Sequence, residues 1–265
     1  MNRFFILFFL ALFALPKAQA ERDSVQGVYL GLQGGLGYGL YRDLGASPLT
    51  YRGLELTPGL NVRVDQPKWR FQAGLGVRGG GYGYSLGISN MQSFGGQFTL
   101  GFSALRKTAQ HGPWQLWGGA SLDNRTDFRY SSAMGNADVG IANFVNLNLI
   151  GQIELSLRRW VLHAQLALTP VSLLLRPGYA YMDNFDSDIS SPTANLLDQY
   201  RWYLAGATII ASDLGATFVL PNGNRIGLSY CWHYMTSRAT SDNLSAPFCF
   251  EQAGHALLFE LGFKL

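Results

Sequence analysis

The chain has 265 residues, the length of one domain, with 14% charged and 48% hydrophobic residues and a formal net charge of +3. Glycine accounts for 32 of the 265 positions, well above the roughly 7% of average proteins, but proline for only 10, and no G-X-Y period runs through the chain. These figures exclude collagen and disorder and leave no electrostatic footprint for nucleic acid; they suit many strands in an apolar solvent.

Residues Met1 to Ala20 carry Arg3, an apolar stretch from Phe4 to Leu15, Pro16 and then Ala18-Gln19-Ala20. A short apolar run after a positive start, closed by A-x-A, predicts a cleaved secretory signal peptide over 1–20 and a mature chain over 21–265. The apolar run is too short for a membrane helix. Removing Arg3 and Lys17 leaves 18 basic against 17 acidic residues.

Downstream, apolar residues recur with period two, the mark of strands with two different faces. In the first segment, 27–41, Gly27, Gly31, Gly35, Gly37 and Gly39 share a face with Tyr29 and Gln33. In 51–65, Leu54, Leu56, Leu60, Val62 and Val64 oppose Glu55, Thr57, Asn61 and Arg63; in 69–86, Phe71, Ala73, Leu75 and Val77 oppose Arg70, Gln72 and Arg78. Segments 92–106 and 114–124 follow, with Phe94, Phe98, Leu100 and Phe102 in phase. Then come 144–158, where Asn146, Asn148, Gln152 and Glu154 alternate with leucines, and 160–176, 201–220, 225–238 and 250–265. The ten segments are long, several beyond ten residues, and a tilted membrane-spanning strand needs about 9–11. Pro58 and Pro170 fall inside two of them, and at Pro170 the apolar phase slips, which predicts a bulge.

Short connections near 65–68, 106–113, 158–159 and 221–224 alternate with longer ones near 42–50, 123–143, 177–199 and 238–248, with a tight one at 89–90. Trp69, Trp114, Trp160, Trp202, Tyr41, Tyr51 and Tyr179 lie near segment ends, the expected place of an aromatic interface girdle. The predicted fold is all-β: a transmembrane antiparallel up-and-down β-barrel of about ten strands after a cleaved signal peptide. On this reading GLGYG and GGGYG are barrel glycines rather than phosphate loops, since no helix follows either.

The last strand, HALLFELGFKL, resembles the terminal strand of the bacterial outer-membrane β-barrel superfamily, departing from it by ending in Leu265 rather than an aromatic residue. The stretches WGGASLDNRTDFRYSSAMGNADVGIANFVNLNL and LHAQLALTPVSLLLRPGYAYMDNF resemble an uncharacterised barrel family of Bacteroidota-type bacteria. The superfamily resemblance implies an outer-membrane location in a Gram-negative cell, contact with membrane lipid and lipopolysaccharide, and insertion by the outer-membrane assembly machinery. The narrower one brings no activity with it.

The face opposite the lipid-directed residues carries Glu55, Arg63, Arg70, Arg78, Asp123, Glu154, Asp213, His233, Glu260 and Lys264, both signs interleaved, and these are the predicted lumen-lining residues. Pairing across the lumen is expected, because an isolated buried charge costs several kcal/mol, on the order of its desolvation penalty. A hairpin centred on Gly223 would set Asp213 beside His233, the base half of a hydrolytic arrangement, with Ser229 on the same face but about 13 Å along the strand. Asp183, Asp186 and Asp188, or Asp123, Arg125, Asp127 and Arg129, could form charged clusters at the outer rim. Cys231 and Cys249 lie about 25 Å apart along neighbouring strands, too far for a disulfide without a loop folding inward. His111, His163, His233 and His255 show no zinc spacing. The sequence therefore predicts a non-enzymatic barrel with no cofactor and no metal, acting as a narrow polar-lumen pore or as a scaffold. Two other readings stand beside it: an accessory subunit of a larger outer-membrane machine, touching its partner through Gly206, Thr208 and Ser212, and a membrane hydrolase.

Overall fold

The computed structural model describes residues 26–43, 47–85, 90–130, 139–177, 200–204, 207–239 and 248–265. The segment read as a signal peptide lies outside them, as do Asp183, Asp186, Asp188, Gly206 and Tyr179. Twelve strands follow in order: β1 (Gly27–Asp43), β2 (Ser47–Leu56), β3 (Gly59–Asp65), β4 (Trp69–Ser85), β5 (Asn90–His111), β6 (Trp114–Tyr130), β7 (Val139–Leu157), β8 (Trp160–Pro177), β9 (Tyr200–Leu204), β10 (Ala207–Val219), β11 (Arg225–Ala239) and β12 (Phe248–Lys264). β2 and β3 are two halves of one barrel strand, as are β9 and β10, so the wall has ten strands. Each pairs antiparallel with its sequence neighbour, and β1 closes the ring on β12 from Tyr29 opposite Lys264 to Asp43 opposite Phe250. Closure leaves no free sheet edge, the condition for crossing lipid with strands.

Period two in the sequence becomes two walls. Outward leucines and aromatics such as Leu36, Leu54, Phe98, Leu122, Leu149 and Leu228 are exposed, Leu54 at 73%, whereas inward Glu55, Asn146, Ser172 and Ser237 are at 1% or less. An outer face this apolar and an inner face this polar invert the soluble pattern, as a barrel in lipid requires. At one end Trp69 and Trp160 stand outward, stacked on Phe71 and packed on Phe218 respectively. At the other end the girdle expectation fails for two residues. Tyr41 and Tyr51 are buried in the lumen, because Tyr41 shares the parity of Gly37 and Gly39, and Tyr51 that of Glu55.

Both prolines sit where their missing N–H is tolerated. Pro58 separates β2 from β3 without shifting register: Leu36 faces Leu56 and Leu32 faces Leu60, while its carbonyl still accepts from the Val77 N–H at 2.9 Å. One half of a single bonded pair is lost. At Pro170, Leu147 faces Val171 but Leu149 faces Leu168, so Thr169 and Pro170 together oppose Asn148: the expected bulge. A second bulge at Thr108, between Lys107 and Ala109, was not foreseen.

Two boundaries move. β5 runs on to His111 before a tight Gly112-Pro113 turn, and β6 runs on to Tyr130. The Asp123, Arg125, Asp127 and Arg129 cluster is therefore not a rim loop; these residues sit at alternate, lumen-facing positions of β6. The β10–β11 turn is also displaced. Gly223 takes φ +84° and donates to the Leu220 carbonyl, closing a three-residue loop centred on Asn222, so Asp213 faces Cys231, and Ala211 faces His233. Asp213 and His233 are thus not cross-strand partners.

The β7–β8 connection is a two-residue turn in which Arg158 adopts φ +52°. That left-handed conformation is costly for any residue with a Cβ and costs glycine little. Arg158→Gly is predicted to stabilise the barrel by about 1 kcal/mol, read as a higher urea midpoint for the refolded chain in lipid vesicles.

Candidate functional site

The lumen is the candidate site, and it is organised in layers. At the end bearing the tight turns, an ionic belt links strands from opposite sides of the ring. Asp65 on β3 accepts from Arg63 (3.0 Å), from Arg70 of β4 (2.7 Å) and from Arg225 of β11 (2.9 Å). Arg70 then reaches three strands round the wall and grips Glu154 of β7 in a fork, Nη1 to Oε1 at 2.7 Å and Nη2 to Oε2 at 3.0 Å. Trp117 Nε1 and Gln152 Nε2 also donate to Glu154, at 3.0 and 3.1 Å. The guanidinium carbons of Arg70 and Arg225 lie 4.4 Å and 3.5 Å from the ring centres of Trp117 and Tyr29. Three arginines meet two carboxylates here, and on the same face Glu260 accepts from Asn61 at 3.3 Å. Planar forks suit this task better than lysine would, since each guanidinium serves two partners at fixed angles.

The middle layer holds a second crossing. Glu55 on β2 accepts from the Tyr82 hydroxyl and lies 3.4 Å from Arg78 Nε. Arg78 on β4 reaches past β2, β1 and β12 to His233 on β11, its Nη1 at 3.0 and 2.9 Å from the two ring nitrogens. Glycine leaves room where these side chains lie down. A Cβ on Gly39 would collide with the Glu55 carboxylate, and one on Gly254 with the His233 ring. Across β6, β7 and β8, Asp123 is clamped by Asn146 (2.7 Å), Asn148 (2.6 Å) and Arg125 (3.1 Å), with Ser172 and Thr169 donating to the two asparagines. Asp127 Oδ2 and Gln252 Oε1, without hydrogen bonds among the described residues, border a cavity of about 20 Å³, room for about one water.

Above this, toward the longer connections, Tyr41, Tyr51, Tyr82, Phe144, Leu174, Ile209, Met235 and Phe250 form an apolar cluster inside the lumen. Tyr41 stacks on Tyr51 with ring centres 5.1 Å apart and gives its hydroxyl to Ser93 at 2.6 Å. Sequence reasoning missed this plug because aromatics near strand ends read as girdle; strand parity was the signal that would have found it.

Asp213 meets a different histidine from the one expected. His163 of β8 lies 2.9 Å from it, Nε2 to Oδ1, and Cys231 donates to its other oxygen at 3.3 Å. Among the described residues His163 bonds Asp213 alone, and Ser229 bonds Cys231 at 3.8 Å. This is a histidine–carboxylate pair, and among the described residues its histidine makes no hydrogen bond to a hydroxyl or thiol. Cys231 is a free thiol, and Cys249 lies seven pairs further along the β11–β12 ladder. No group of three metal-ligating side chains occurs among the described residues.

Arg70→Met would strand Glu154 and weaken Asp65 inside the belt, so it is predicted to destabilise the barrel by about 3–5 kcal/mol. Asp213→Asn, at a half-open site, should cost under about 1 kcal/mol. Urea unfolding of both variants in vesicles separates the two cases.

No family model matches the chain, and no curated protein does. Among solved structures, the outer membrane protease OmpT from Escherichia coli aligns over 90% of this chain and 95% of its own, at 9% identity and a TM-score of 0.44. The translocator domain of the autotransporter NalP from Neisseria meningitidis aligns over 90% and 89%, at 10% identity and 0.40. Neisserial surface protein A aligns over 91% and 98%, at 10% and 0.35. Likenesses at this level carry no activity to this chain, and the barrel assignment rests on the closed strand pairing itself.

Proposed function

We propose that the chain is an integral outer-membrane barrel of a Gram-negative cell whose own side chains close its lumen, making it a scaffold rather than an open pore. The location is supported by the apolar outer wall, the even strand number and the ordering of short turns at one end and longer connections at the other. The observation that carries the scaffold reading is the Arg225–Asp65–Arg70–Glu154 belt, which joins β11 to β7 through β3 and β4. Its members are at most 8% exposed. Ten strands enclose a lumen between the filled eight-stranded barrels and the open sixteen-stranded porins, narrow enough for such side chains to meet. The aromatic cluster blocks the same axis nearer the other end. Function on this reading lies in what the barrel holds in place, with the connections beyond its wide-loop end as the variable part.

The test is single-channel recording of the refolded chain in a planar bilayer. A folded but silent barrel is expected. Steady conductance that changes in Glu55→Gln or Asp213→Asn would replace the scaffold with a narrow solute pore.

A further inference from the structure

The turn-bearing end carries an uneven distribution of charge and tryptophan. Three successive connections are involved: 65–69, 111–114 and 157–160. Each is followed at once by a tryptophan opening the next strand, Trp69, Trp114 and Trp160. Beside them lie Lys68, Arg106, Arg158 and Arg159, all four exposed, while Lys107 turns inward with its ammonium 5.0 Å from the centre of the buried Trp117 ring. The first two are contiguous: Arg106 faces Trp69 across β4 and β5 with its guanidinium 5.9 Å from the indole centre, and the backbone N–H next after Arg106 donates to the Lys68 carbonyl. Among the described residues the acidic side chains of this end, Asp65, Glu154 and Glu260, all face the lumen, and the first two are buried in the belt. The fourth connection, Pro221-Asn222-Gly223-Asn224, is uncharged. The outer rim is therefore a basic, tryptophan-lined arc over roughly half the circumference, and among the described residues no side-chain carboxylate stands on it.

A separate observation bears on the same arc. Arg158 holds φ +52°, a conformation that glycine adopts without strain, so its side chain is kept at a backbone position that disfavours it. A strained residue on a functional surface is a known pattern, and here the strain places a second cation beside Arg159.

We infer that this arc binds the headgroups of anionic phospholipid in the periplasmic leaflet, the guanidinium and ammonium groups taking the phosphodiester and the indoles seating at the carbonyl level of the bilayer. The chemistry fits: Lys and Arg snorkel to the interface, tryptophan prefers it, and each basic residue near an anionic surface strengthens binding about fivefold. A zwitterionic headgroup offers the same phosphate but an ammonium that the cationic arc repels. The inference rests on the membrane reading proposed above.

The experiment uses native mass spectrometry of the full refolded chain, released from micelles holding equimolar phosphatidylglycerol and phosphatidylethanolamine. The expected result is at least fivefold preferential retention of phosphatidylglycerol, falling to parity in Lys68→Gln/Arg106→Gln/Arg159→Gln and weakening when the protein is equilibrated with lipid at high salt before transfer to the spray buffer. In Arg158→Gly the preference should fall while the urea midpoint rises, a split that a merely structural arginine would not produce. Equal retention of both lipids by the folded wild type, or an undiminished preference in the triple variant, overturns the inference and leaves the barrel standing. Lipid indifference combined with capture of an acidic protein by the arc would also overturn it. Failure of the chain to give β-sheet circular dichroism and heat-modifiable mobility in vesicles would bring down the membrane reading and the inference together.

Discussion

A ten-stranded ring whose wall must be apolar between its two rims has, over that depth, only its interior in which to put charge, and every charge placed there must find its partner inside the same ring. That constraint governs the rest of the molecule. Arg70 illustrates it: buried to 3% exposure, it is compensated by Asp65 on one side and Glu154 on the other, and these in turn recruit Arg63, Arg225, Trp117 and Gln152. Charges at such depth are stable only when paired and fully hydrogen-bonded, and a pair anchored on distant strands also cross-braces the wall. The stability of the barrel and the closure of its lumen are consequences of the same contacts.

The glycines belong to this account. β1 is glycine-rich on its inner face because the side chains of β2, β3 and β12 lie across it: Asn61 over Gly31, Glu55 over Gly39, Leu258 over Gly35. A small residue on one strand is the space into which its neighbour's polar group folds, which is how a narrow barrel holds Arg, Glu and Tyr without swelling. The upper plug obeys the same economy with apolar groups, where Phe144 and Phe250 stack 6.1 Å apart across the lumen.

Strand number, the inward and outward faces and the Pro170 bulge were legible in the sequence, since all three follow from period two and from where it slips. Partner identities were less so. The lumen residues could be named by parity, but Arg78 with His233 and Arg225 with Asp65 join strands far apart in sequence, and nothing in local spacing encodes how far round the ring a side chain reaches. The Asp213 pairing failed for a smaller reason. A left-handed Gly223 centres the hairpin on Asn222, and that single-residue offset replaced His233 with Cys231 opposite Asp213 and left His163, on the other flank, as its histidine. Tyr41 and Tyr51 were misplaced because residue type was weighed above parity.

The most direct measurement is a double-mutant cycle on the cross-lumen fork, comparing Arg70→Met, Glu154→Gln and the double variant by urea unfolding of the refolded chain in vesicles. The account predicts a coupling energy of about 2–3 kcal/mol, the double variant being far more stable than the sum of the single losses implies. Additive losses, with coupling within about 0.5 kcal/mol of zero, would mean that the two side chains do not meet and that the belt does not close the barrel.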